Sequence, residues 1–193
     1  TKYVLKTDDD VYVRVPRVLE YLVKAKSRRP FYGGSVVKRS PVQRKIGNKW
    51  TISYKHYEKE RYPTYHAGAF FILSNDLLNK LFNYVYKRIP FHIDDAYVGL
   101  AMHHFGVKIT NIPSFIIKEK VTMFLRKAKD CMISPLVAVG HNVDPIISRQ
   151  FHARIKKLAC EQKYTPAPCP KKRQKKKNAN SRKTISSSRK SQN

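Results

Sequence analysis

The sequence predicts an α/β domain. Two observations carry that expectation. Apolar, β-prone runs (Tyr3-Val4-Leu5, Phe31 to Val37, Tyr65 to Leu73) alternate along the chain with amphipathic helical stretches. The hydrophobic fraction of 41% supports a real core in the first two-thirds of the 193 residues. No internal repeat is apparent.

In chain order, the opening run reads as a strand that ends at Asp8-Asp9-Asp10, with Val11-Tyr12-Val13 following. Pro16 fits a helix entry, and Arg17–Lys26 reads as a helix with Val18, Leu19, Leu22 and Val23 as its apolar stripe. Phe31 to Val37 reads as a strand whose Gly33-Gly34 pair suggests a close backbone approach. Residues 38–64 are basic and irregular, with a short strand expected at Trp50–Tyr54. Tyr65 to Leu73 reads as a buried strand. Ser74 is expected to cap the next helix, whose stripe is Leu77, Leu78, Leu81, Phe82 and Val85, with Pro90 as its stop.

A further helix begins near Asp94-Asp95, with Val98, Ala101, Met102 and Phe105 at helical spacing. Gly106 ends it and Val107–Ile109 returns as a strand. Residues 145–160 read as a final helix. Pro166, Pro168 and Pro170 then open a linker, and 161–193 is expected to be a linker and disordered polybasic tail.

The net charge is +27. Residues 171–193 hold ten basic and no acidic residues, which leaves +17 for the rest. Such a surface favours anionic partners. No stretch approaches the roughly 18 apolar residues of a membrane span. Cys131, Cys160 and Cys169 lack metal-ligand spacing, and an odd count forbids complete pairing within the chain.

Three constellations could carry chemistry. Asp8-Asp9-Asp10 at a strand end presents the oxygens a hard divalent cation needs, and a cation there could neutralise a diphosphate. A plain turn and helix cap is the other reading. Asp94-Asp95 opens a helix, where acids complement the helix dipole, or where one could serve as a general base. Gly68, inside Tyr62 to Ser74, fits either a ligand approach or ordinary β packing.

Together these segments resemble one family. Lys2-Tyr-Val-Leu-Lys-Thr-Asp-Asp-Asp-Val-Tyr-Val13 is similar to its metal-binding strand. Tyr62-Pro-x-Tyr-x-x-Gly-x-x-Phe-Ile-Leu-Ser74 is similar to its central motif, and Asp94-Asp-Ala-Tyr-Val-Gly99 to its Glu-Asp-Val-x-x-Gly motif. The family is that of the β-1,3-galactosyltransferases and β-1,3-N-acetylglucosaminyltransferases, and the resemblance runs over about residues 1–155.

It implies a GT-A-like fold, a UDP-sugar donor, an acceptor glycan on glycoprotein or glycolipid, Mn²⁺, and inversion at the sugar C1. By position, Asp8 and Asp9 with Gly68 would face the nucleotide sugar, Asp10 and His141 would hold the metal, and Asp95 would be the base. It also implies that residues 1–160 are the C-terminal part of a catalytic domain. On that view the strands gripping uracil precede Thr1, and an upstream anchor holds the protein in the Golgi membrane.

The sequence departs from the family pattern in two places. His66 stands where a cysteine is usual, which leaves Cys131 without its expected partner. Asp94 replaces the usual Glu. Two other classes compete. A nucleic-acid-binding protein is favoured by charge but disfavoured by the motif set and by the lack of aromatics in the tail. An inactive, glycan-binding relative would keep the motifs without transfer.

Overall fold

A computed structural model of the chain describes residues 1–24 and 29–160. The expected linker and tail at 161–193 lie outside the described residues. The order is β1 (Tyr3–Thr7), β2 (Tyr12–Val13), α1 (Val15–Lys24), β3 (Tyr32–Val37), β4 (Tyr65–Ser74), α2 (Asp76–Lys87), α3 (Asp94–His104), β5 (Ile109–Asn111), β6 (Phe115–Ile117), α4 (Val121–Lys127), α5 (Asp130–Ile133), β7 (Ala138–Gly140) and α6 (Pro145–Cys160). The fold is mixed α/β, as the alternation predicts.

Two sheets form among the described residues. The larger has the order β1-β4-β3-β5, the smaller β2-β7-β6. β4 runs antiparallel to both neighbours, and β3 pairs in parallel with β5. Successive side chains of a strand point to opposite faces. On β4, Phe70 and Ile72 therefore join Phe31, Ile112, Val137 and Ala138 between the sheets, while Phe71 and Leu73 join Tyr32, Leu77, Ala101 and Met102 under α2 and α3. A strand covered on both faces reads as a continuous apolar run, which Ala69 to Leu73 is. Each such buried side chain contributes roughly 1.5–3 kcal/mol relative to exposure.

α6 packs Ile147, Phe151 and Ile155 against Leu125, Leu136 and Val139 in a third cluster. A fourth holds the segment after β3 onto the start of α3 through Val42, Ile52, Tyr62, Tyr65, Ile93 and Ala96. Among the described residues, no helix is long and apolar enough to cross a membrane.

Several expectations are corrected. Ser74 ends β4 and is wholly buried, where its Oγ accepts the Phe31 N–H at 2.7 Å; the residue before α2 is Asn75, with no side-chain cap. No strand forms at Trp50–Tyr54. The Arg44 guanidinium organises that segment instead, donating to the carbonyls of Ile52 (2.7 Å), Tyr57 (2.8 Å) and Lys59 (2.9 Å), so the carbonyls are satisfied without a ladder. Of the stripe expected on α1, only Val18 is buried; Leu19 and Val23 are exposed. Cys131 is disulfide-bonded, not left without a partner.

Candidate active site

The acidic triplet follows β1. Backbone pairing with β4 continues one step past the strand, through the Asp8 N–H to the Ala69 carbonyl at 2.9 Å, and then the chain turns. Asp8 and Asp9 are exposed and Asp10 is half-buried. β2 then pairs antiparallel with β7, Tyr12 opposite Val139. Carrying that register two residues further puts His141 opposite Asp10. The distance from His141 Nδ1 to Asp10 Oδ2 is 3.8 Å. Asp10 Oδ2 also accepts the Asn142 N–H at 2.8 Å, from a residue in the left-handed region at φ 59°. Asp10 Oδ1 is buried without a hydrogen-bond partner among the described residues.

That orphaned oxygen is the test of whether a cation suits the site. A buried carboxylate oxygen without a partner is costly, and a divalent cation satisfies it. No three His, Cys, Asp or Glu side chains gather into a full cage among the described residues. Two protein ligands suit a cation that keeps water and takes substrate phosphates for its remaining positions. Asp10 and His141 fit that arrangement.

Asp95 is held differently. Gly99 has no side chain, and a Cβ there would lie 2.3 Å from the Tyr65 Cβ; α3 therefore packs hard against β4. One turn earlier on α3, Asp95 meets Gly68 of β4. The Gly68 N–H donates to Asp95 Oδ2 at 2.9 Å, and the Ala96 N–H donates to Oδ1 at 2.7 Å. A Cβ on Gly68 would lie 3.2 Å from Asp95 Oδ2, so the glycine is what admits the carboxylate. Burial pushes the Asp95 carboxyl up; the Ala96 N–H draws it back, Asp94 raises it again, and the Gly68 N–H and Lys6 lower it, with a net rise. Its partner in sequence, Asp94, is exposed and spends Oδ1 on the Asp95 N–H at 2.9 Å.

Lys6, which the sequence reading did not single out, ties the two acidic segments together. Its Nζ lies 2.6 Å from Asp8 Oδ1 and 3.4 Å from Asp94 Oδ2, and it donates to the Gly68 carbonyl. Burial alone would lower the Lys6 amine, but Asp8 and Asp94 outweigh it and raise it. The signal was present: Lys6 is two residues before Asp8, which places both on one face of an extended strand.

Asp95 also lines a cleft of about 300 Å³ with Ser40, Trp50, Tyr62, Tyr65 and Ile93. Trp50 is half exposed, at 48%. Tyr62 Oη is buried and has no hydrogen-bond partner among the described residues, and burial pushes its phenol up to about 12. The arrangement offers a carboxylate beside an aromatic wall and an unspent hydroxyl. Lys6 and Gly68 thus link Asp8 to Asp95, and Asp10, two residues after Asp8, pairs with His141; Asp9 lies exposed in the turn between Asp8 and Asp10.

A family model described as galactosyltransferase matches residues 1–113, more than half of the chain. That segment contains the triplet, Gly68 and Asp95; His141 lies beyond it. The chain is 31% identical over 108 residues to beta-1,3-galactosyltransferase 1 of Mus musculus, covering 55% of this chain and 33% of that protein. It is 33% identical over 113 residues to UDP-GlcNAc:betaGal beta-1,3-N-acetylglucosaminyltransferase 7 of Rattus norvegicus (58% and 28%). It is 30% identical over 109 residues to lactosylceramide 1,3-N-acetyl-beta-D-glucosaminyltransferase of the same species (55% and 29%). The chain matches about a third of the length of these curated relatives.

Proposed function

The chain belongs to the galactosyltransferase family, and from that premise we propose that the full-length protein moves galactose or N-acetylglucosamine from a UDP-sugar to an acceptor glycan in β-1,3 linkage. The acceptor is carried on glycoprotein or glycolipid, and the work is done in the Golgi lumen by a GT-A domain anchored through an upstream segment. The observation that carries the reading is Asp95, a carboxylate fixed by two backbone N–H groups in an aromatic-lined cleft beside the acidic triplet.

Asp95 accepts the proton of the acceptor hydroxyl as that oxygen bonds to the sugar C1. The bond from C1 to the diphosphate oxygen breaks on the opposite face, and UDP departs with the electron pair, so configuration inverts. Burial raises the affinity of Asp95 for a proton, which suits a base that must take one from an alcohol. Trp50 offers an apolar face for the C–H side of an acceptor sugar, and the Tyr62 hydroxyl a hydrogen-bond partner. Lys6 keeps Asp94 engaged outside the cleft.

Asp10 and His141 would hold Mn²⁺, with Asp8 and Asp9 on the nucleotide side. The cation supplies neutralisation of the diphosphate charge that grows as the sugar leaves.

The test is transfer by the full-length protein, with UDP-galactose and UDP-N-acetylglucosamine offered separately to a panel of neutral glycans. Transfer that stops in chelator and returns with Mn²⁺ supports the reading. Donor binding without transfer or hydrolysis would assign the protein as an inactive relative. Salt-sensitive binding to random DNA that survives removal of residues 171–193, without transfer, would assign it to nucleic acid.

A further inference from the structure

A second cleft, of about 680 Å³, opens between α2 and the end of α3, at the other end of α3 from the acids. Lys80, Asn83, Tyr84 and Lys87 are spaced i, i+3, i+4 and i+7 on α2, which puts all four on one face. Arg88 follows, and His104 and Phe105 complete the lining from α3. Asp95 and His104 are nine residues apart on one helix, about 14 Å. The cleft is therefore separate from the Asp95 site.

Its floor is aromatic. The Tyr84 and Phe105 rings meet edge to face at 5.7 Å, and the His104 ring lies 5.4 Å from Tyr84. Its rim is cationic. The Arg88 guanidinium sits 5.1 Å from the Tyr84 ring centre, in cation–π range. No carboxylate lines the cleft, and Lys80, Lys87 and Arg88 enter no ion pair among the described residues. The C-terminal ends of α2 and α3 carry about half a negative charge each, which offsets only part of three full cations.

An aromatic floor beside three cations that enter no ion pair among the described residues matches a ligand that carries both an apolar face and a negative charge. A pyranose has an apolar C–H face to set against the aromatic corner that Tyr84 and Phe105 form, and a carboxylate or sulfate on its rim can reach the cations, with Arg88 able to bind either bidentately. We infer that the α2–α3 cleft binds an anionic sugar, carboxylated or sulfated, at a site distinct from the Asp95 cleft. The inference stands on this cleft alone and does not require the transferase reading.

Calorimetry on the whole chain tests it, with a sulfated disaccharide, a uronate disaccharide, a neutral disaccharide, inorganic sulfate and a short single-stranded oligonucleotide as probes. Either or both charged disaccharides should bind, and which one does identifies the group recognised. The neutral one should not bind, and sulfate should bind at least tenfold more weakly than the better sugar. Lys80→Glu with Lys87→Glu, both exposed and tolerant of change, should cut binding of the charged sugar at least tenfold. Tyr84→Leu should erase the advantage of the sugar over inorganic sulfate and leave sulfate binding unchanged. If Tyr84→Leu does not fold, the lysine pair alone decides.

The assignment is overturned if the charged sugars bind with the lysine pair reversed, since the contact then lies elsewhere on the basic surface. It is also overturned if the neutral disaccharide binds as well, if neither charged sugar binds, or if the oligonucleotide binds more tightly through the same lysines.

Discussion

The two halves of the candidate active site are built on opposite principles. The chain satisfies the Asp95 carboxylate itself: both oxygens accept backbone N–H groups, and the close packing of α3 on β4 fixes the position. Around Asp10 it leaves valence open, with Oδ1 buried and unpartnered and His141 half exposed 3.8 Å away. A group that takes a proton gains from a rigid, partly desolvated seat, because its geometry must be right when the bond forms. A site completed by a cation and its diphosphate gains nothing from being closed in advance. The contrast separates a half that belongs to the fold from a half that belongs to the ligand.

That contrast can be broken most severely at the open half. Asp10→Ala should abolish transfer by the full-length protein while thermal unfolding changes little, since the carboxylate makes no buried ion pair; a variant that keeps more than a hundredth of the turnover would show that the cation is held elsewhere. Swapping Mn²⁺ for other divalent ions should rescale activity only while His141 is present. At the closed half, Gly99→Ala must move α3 away from Tyr65 and should cost about 1–3 kcal/mol in denaturant unfolding, the usual range for overpacking. Gly68→Ala presses on Asp95 through a contact that can give by a few tenths of an ångström, so it should lower kcat by roughly tenfold with donor affinity preserved. Unfolding without loss of kcat would remove Gly68 from the positioning of Asp95.

His66, wholly buried against Tyr32, adds a pH test of the core beneath the closed half. Burial depresses its imidazole from the ordinary 6.5 to about 4, against weaker opposing backbone hydrogen bonds. The unfolded chain takes up a proton as pH falls through 6.5, and the folded chain does so only near 4. Stability is thus fully present above 6.5 and is lost between 6.5 and 4, by up to about 3 kcal/mol from this group. Denaturant titrations at both pH values should show that loss, and His66→Leu should lack it. The smallest effect is expected at Lys6→Met, an exposed-side link to Asp8 and Asp94 that should lower kcat less than about threefold and weaken with added salt.

Much of this was legible in the sequence. The long apolar run of β4 and the acids that follow β1 and open α3 mark three elements and their catalytic candidates together. Asp10 was readable because like charges in a row at a strand end need an external reason. Local pattern failed where distant groups decide the outcome. Ser74 looks like a helix cap, but its hydroxyl is claimed by Phe31 across the sheet. Trp50–Tyr54 looks like a strand, but it makes only an isolated bridge from Thr51 to Gln43, and Arg44 takes the Ile52 carbonyl.

The apolar spacing on α1 implies burial, yet Leu19 and Val23 face outward. Trp50 carries no motif and enters the cleft only through the packing of Val42 and Ile52 on Ile93 and Ala96. Residue pattern alone leaves His141 a lone histidine; the family resemblance pairs it with Asp10, and the β2–β7 register sets it opposite.

The central claim is that Asp95, held inside, takes the proton, and that Asp94, held outside, does not. Asp95→Asn and Asp94→Asn in the full-length protein test it most directly, with kcat for transfer and UDP-sugar binding by calorimetry measured on both. Asn preserves size and the two backbone contacts in part, but cannot accept the proton. Asp95→Asn is expected to lower kcat by at least roughly a hundredfold with donor binding intact, while Asp94→Asn changes kcat less than about threefold. Near-normal turnover in Asp95→Asn together with its loss in Asp94→Asn would reverse the assignment and contradict the account.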